Sequence, residues 1–271
     1  MRRLWIVLLA LVVVGGLGVG AYVGISSWWD QARHATSSGL CTVSGYELDP
    51  EQAEVAATMT GTVVRLGLPE HATILALAAG LQESKLHNLP PGAGDRDSVG
   101  VLQQRPSQGW GGGDASRLND VGEATREFLA RIVKLPGWRT RPIGKVIQDV
   151  QVSADPSGDS YAQHGDEARS LARAFDGAAP RAITCSFEAP TKIAAAAKVA
   201  QLVQGDLPIN APTTSAQAVH VPGAHWQTAA WFVAYAYRLG IDQVRYGGYT
   251  WSRAHGWKHS TASAGEVVAV L

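Results

Sequence analysis

From Leu4 to Ile25 the chain carries no charge and almost no polarity (LWIVLLALVVVGGLGVGAYVGI). That is about the twenty residues a helix needs to cross a bilayer core. The preceding MRR predicts a cytoplasmic N-terminus and an extracytoplasmic remainder. Trp28 and Trp29 would then fall in an interfacial belt. The pattern predicts a transmembrane anchor over 1–25 and a single-pass location in the cell membrane. A cleaved signal peptide is the competing reading, but the run is long for one and ends without a clear small-x-small site. On either reading the rest is exported. Residues 26–40, ending ATSSG, read as a linker.

Helical periodicity begins at Asp49. LDPEQAEVAATMTGTVVRLGL has Asp as N-cap, Pro at the first helical position and Glu in the first turn, and Gly67 stops it. Pro69 and Glu70 open EHATILALAAGLQES, apolar on nearly all sides and therefore a central buried helix. Irregular chain follows through Gly113, and a loop that long within a domain usually has a function. VGEATREFLARIVKL, PIGKVIQDVQVSA and SYAQHGDEARSLARAF supply three further helical patterns. The expectation is an all-α unit over 41–185. Residues 190–271 differ: KIAAAAKVAQLVQGDLP and HWQTAAWFVAYAYRLG read as helices joined by the connector INAPTTSAQAVHVPG. VRYGG, YTWSR and EVVAVL read as short strands, which predicts a small α+β domain.

Composition narrows this picture. Basic and acidic side chains balance at 23 each, so no global field argues for nucleic acid. Only two cysteines occur, Cys41 and Cys185; in an exported chain such a pair is expected to be bonded and to staple the ends of one domain, with two free thiols as the alternative. Nine tryptophans are many for 271 residues. Their faces suit sugar stacking as well as core packing, and core packing is the commoner use.

The chemistry concentrates at the end of the buried helix. Glu83 rides an apolar helix into the interior, where desolvation disfavours its ionised form. A carboxyl that keeps its proton near neutral pH can donate it to a departing glycosidic oxygen. Position alone equally allows a mere helix end paired with Lys85 or Arg96. The wider pattern ESKLHN…GDRDSVGVLQQ, over about 49–175, resembles the lysozyme-like superfamily of lytic transglycosylases and goose-type lysozymes. The resemblance implies that Glu83, in its E-S pair, is the catalytic acid. It also implies that Ser98, Gly100 and Gln103 of the S-x-G-x-x-Q segment line a sugar cleft, and that Asp95 is an auxiliary carboxylate. Asp97 is a further candidate carboxylate, or the anchor of an Asx turn. Two positions depart from the family. Arg105 stands where a second Asp is expected, and the family's Tyr-Asn pair corresponds to Val150 and Gln151. Gln151 can still hydrogen-bond a sugar amide, and Trp110 could stack on a ring.

Other motifs are weaker. His255 and His259 lie four apart in HGWKH without a third ligand nearby, so no metal is expected. The segment from His225 onward weakly resembles zinc D-Ala-D-Ala carboxypeptidase-like domains but lacks their final paired histidines. No phosphate-cradling glycine loop precedes a helix, and no cofactor is expected. The expected architecture is an N-terminal transmembrane helix, an all-α lysozyme-like domain and a small α+β domain. The expected function is a membrane-anchored peptidoglycan glycosidase, hydrolase or transglycosylase, acting on glycan strands. An inactive wall-binding or scaffold protein of the same fold is the alternative. A transporter component is a poor third, since one span provides no pathway.

Overall fold

The computed structural model describes residues 39–271. The segment expected as an anchor, 1–25, and nearly all of the linker 26–40 lie outside the described residues. Among the described residues no helix is long and apolar enough to cross a membrane. The central buried helix, Glu70–Ser84, has 15 residues and spans about 22 Å, short of the roughly 30 Å of a bilayer core. The expected single-pass membrane location is corrected accordingly.

The described residues open with a hairpin, β1 (Gly39–Val43) and β2 (Tyr46–Leu48). Its two-residue turn, Ser44 and Gly45, has positive φ at both positions, as right-twisted strands demand. Asp49 then caps α1 (Pro50–Arg65) in a reciprocal capping box with Gln52. The second helix, α2 (Glu70–Ser84), is buried without interruption from Ala72 to Leu81. Around it pack α1, α4 (Val121–Ile132), α5 (Ile143–Gln151), α6 (Asp159–Ala162) and α7 (Gly165–Phe175); the short α3 (Ala115–Leu118) precedes α4. The strand β3 (Ile183–Phe187) returns to pair with β1 and completes a three-stranded antiparallel sheet in the order β2-β1-β3. Cys41 lies opposite Cys185 in that register, and the two are disulfide-bonded across 144 positions of sequence.

The rest of the chain supplies α8 (Ala196–Asp206), β4 (Thr213–Thr214), β5 (Ala218–Pro222), α9 (Trp226–Ala234), α10 (Ala236–Leu239), β6 (Gln243–Tyr246), β7 (Tyr249–Ser252), β8 (Gly256–His259) and β9 (Glu266–Val270). The strands form a six-stranded antiparallel sheet ordered β4-β5-β9-β6-β7-β8. Trp231 and Trp251 are fully buried. The indoles of Trp251 and Trp257 donate to the Cys185 and Ile183 carbonyls of β3, and α9 packs on α1, α7 and β3. Residues 39–271 therefore fold as one compact unit.

This corrects the expected fold class. The architecture is mixed α/β with two antiparallel sheets, and the stretch 41–185 is not all-α. Its first and last strands were hidden from helical periodicity because each is three to five residues long and finds its partner far along the chain.

Candidate functional site

Glu83 occupies the last turn of α2, half-buried. Two donors meet its Oε1: the hydroxyl of Tyr161 at 2.7 Å and the carboxamide Nε2 of Gln151 at 3.3 Å. Among the described residues no hydrogen bond reaches Oε2. Burial pushes the carboxyl above the usual carboxylate range, with the Tyr161 and Gln151 bonds pulling the other way. A carboxyl with one oxygen held and the other open carries its proton on the open oxygen, where it can be donated.

The chain around Glu83 is built to hold it. Ser84 ties the helix end to the loop, its hydroxyl donating to the Val101 carbonyl at 2.8 Å. The same Gln151 nitrogen that meets Glu83 donates to the Leu102 carbonyl at 2.9 Å. Gln52 of α1 donates to the Lys85 carbonyl. Lys85 and Leu86, directly after the site helix, both adopt positive φ, as do Arg96 and Gln103 in the loop and Val152 just beyond Gln151. Left-handed backbone at non-glycine residues is held only where the surroundings over-determine it, and it tends to cluster at functional sites.

The segment Ser98–Gln104 is a tight turn closed by paired backbone bonds between Val99 and Gln104. Ser98 and Gly100 are buried within it. Gly100 has φ +78°, donates to the Leu89 carbonyl, and lies where a Cβ would come within 2.1 Å of the Leu118 carbonyl oxygen. Gln103 folds back to donate to the Gly100 carbonyl. The turn thereby presents the Val101 and Leu102 carbonyls that anchor Ser84 and Gln151.

Of the other expected carboxylates, one faces solvent and the other is engaged within the loop. The Asp95 side chain is 89% exposed and faces only Arg96, at 3.9 Å. Asp97 accepts from the Ser107 backbone N–H and from Arg105 Nε, both at 2.8 Å. Ser107 and then Arg105 hold it well below the usual carboxylate range, so Arg105, the departure noted in the sequence, neutralises a loop carboxylate. Trp110 is 4% exposed, with the Arg131 guanidinium 3.2 Å from its ring centroid; its accessible face is already taken.

Tyr161 escaped sequence reasoning. Its phenol reaches the carboxyl from α6, 78 positions after Glu83. Its one signal was a lone large ring in the otherwise polar GDSYAQHGDE. Gln82 belongs to the same neighbourhood, accepting from Gln163 and facing His164 at 3.1 Å each.

No protein-family model matches the chain, and no curated protein matches it at a significant level.

Proposed function

We propose that the chain is a peptidoglycan glycosidase of the lytic transglycosylase type, with Glu83 as its general acid. One observation carries this reading: a partly desolvated carboxyl whose Oε1 is fixed by Tyr161 and Gln151 and whose Oε2 has no partner among the described residues. The resemblance of the E-S and S-x-G-x-x-Q segments supports it. In the reaction, Oε2–H protonates the glycosidic oxygen as the C1–O bond of N-acetylmuramic acid breaks. The sugar's own C6 hydroxyl then closes on C1 and returns its proton to Glu83. This scheme needs no second carboxylate. Asp95 points to solvent and Asp97 is committed to Ser107 and Arg105, which favours intramolecular attack over activation of water.

A second reading, a glycan-binding or scaffold protein without turnover, is favoured by Val150 and Gln151 standing where the resembled family has its Tyr-Asn pair. One experiment separates them. The chain and its Glu83→Gln variant are incubated with purified sacculi, and released muropeptides are analysed by mass spectrometry. Release should drop at least about 100-fold in the variant, the scale of general acid catalysis, and products should carry anhydro ends. Reducing ends would assign a hydrolase. Equal release by both proteins, or none by either, rejects the enzymatic reading.

A further inference from the structure

A cleft of about 550 Å³ opens between α1, the first turn of α4, the end of α8 and the α9–α10 junction. Its volume is that of a small-molecule site, and it shares no residue with the Glu83 cluster. Five carboxylates and three guanidiniums line it. The guanidiniums are engaged within the protein. Arg126 pairs with Glu123 at 2.6 Å, Arg238 pairs with Glu54 at 2.7 Å, and Arg65 donates to the carbonyls of Gln204 and Leu207.

Two of the carboxylates each keep an oxygen in reserve. Asp206 Oδ2 accepts from the Trp231 indole at 2.8 Å and the Tyr235 hydroxyl at 2.9 Å. Among the described residues nothing donates to its Oδ1, which is not among the buried unpaired atoms. Glu54 is bound through Oε2 to Arg238, and its Oε1 likewise has no donor among the described residues. Arg238 also lies 4.7 Å from the centroid of the Tyr235 ring. It is half exposed, whereas the Glu54 side chain is only 16% exposed. The protein's own cation thus rests between a carboxylate and an aromatic face, half exposed to solvent.

We infer that this cleft binds a ligand carrying a primary ammonium group, which displaces Arg238 from Glu54 and donates to the open oxygens of Glu54 and Asp206. Three N–H donors on one small cation suit carboxylates that flank a trough without converging. Convergence is what a metal ion requires, and among the described residues no group of three His, Cys, Asp or Glu side chains is placed to hold one. Arg238 is the one cation among the named influences on Glu54, and burial and three carboxylates work against it. Burial raises its pKa to about 8 against the pull of Arg238, and Glu51, Asp206 and Asp49 push in the same direction as burial. An ammonium in the place of Arg238 takes over that role. The inference is independent of any glycan cleavage at Glu83.

Binding of Nα-acetyl-L-lysine methylamide and of 1,5-diaminopentane to the full chain, followed by ligand-detected NMR, tests it. Both should bind, and the Nε-acetylated lysine derivative, which is neutral, should not. Glu54→Gln should weaken binding about tenfold, the loss of one charge-assisted contact. Arg238→Gln should tighten it several-fold by removing the internal competitor, an outcome that misfolding cannot mimic. Tighter binding of the lysine derivative would assign amine-bearing peptides, and tighter binding of the diamine would assign small free amines. The inference is overturned if the probes fail to bind the full chain, if the neutral derivative or Glu54→Gln binds equally well, or if calcium alone occupies the site.

Discussion

A phenol lowers the pKa of a carboxyl only by donating to its charged form, so Tyr161 and the burial around Glu83 act in opposition. Burial, then the charge of Glu83, pushes the Tyr161 hydroxyl upward, which keeps it a donor across the working range. Replacing Tyr161 with Phe removes the donor and leaves the burial. The Glu83 pKa then rises further. A general acid works only while protonated, so the limb on which activity falls with rising pH moves upward. The pH–rate profile of muropeptide release measures this, and a limb that stays in place rejects the role given to Tyr161. Gly100 makes a different demand. Gly100→Ala meets both an unfavourable φ and the Leu118 carbonyl, and is expected to lose about 2 kcal/mol or more of stability in urea titrations. Glu83 was legible in the sequence because an ionisable group at the end of an apolar helix is unusual. Tyr161 was not, because nothing local reveals a bond spanning 78 positions.

Among the elements, helices longer than two turns announced themselves by periodicity and caps. The Asp49 capping box and the unbroken burial of α2 correspond to features readable in the letters. The short strands did not. β1 and β2 were absorbed into a linker and a helix approach, and β4 and β5 into a Pro/Ser/Thr connector, because a strand of two to five residues is defined by its partner more than by its composition. β3 and β1 bring the two cysteines together. In the chain-entropy account, a bond closing so long a loop stabilises mainly by restricting the unfolded chain. The Cys41→Ala, Cys185→Ala double variant is accordingly expected to lose about 2–5 kcal/mol, read as a lower urea midpoint. An unchanged midpoint would show that the strand pairing alone holds the ends of the helical stretch.

At the scale of the molecule, α1 and α10, far apart in sequence, meet across a charged pair, and this makes stability sensitive to pH. Glu54 of α1 has a folded pKa of about 8 against an ordinary 4.5. Between those values the folded protein binds more protons than the unfolded chain. The stability from this group is therefore complete below pH 4.5 and is lost as pH rises towards 8. Glu83, raised in the same sense, adds to the slope. Urea midpoints should fall from pH 5 to pH 8 in the parent, and fall less in Glu54→Gln. An equal fall in both would place the sensitivity elsewhere. The sequence could not disclose this, because Glu54 meets Arg238 and Asp206 only after the chain has returned from its far half.

The strand formed by residues 266–270 is inserted between β5 and β6, which are made before it. While the chain emerges from the ribosome, both of those strands carry bare hydrogen-bonding edges, an invitation to pair with a neighbouring nascent chain. Only the arrival of Val267 and Ala269, both fully buried once seated, seals them. Synthesis of this protein therefore has a vulnerable interval, closed when β9 is seated.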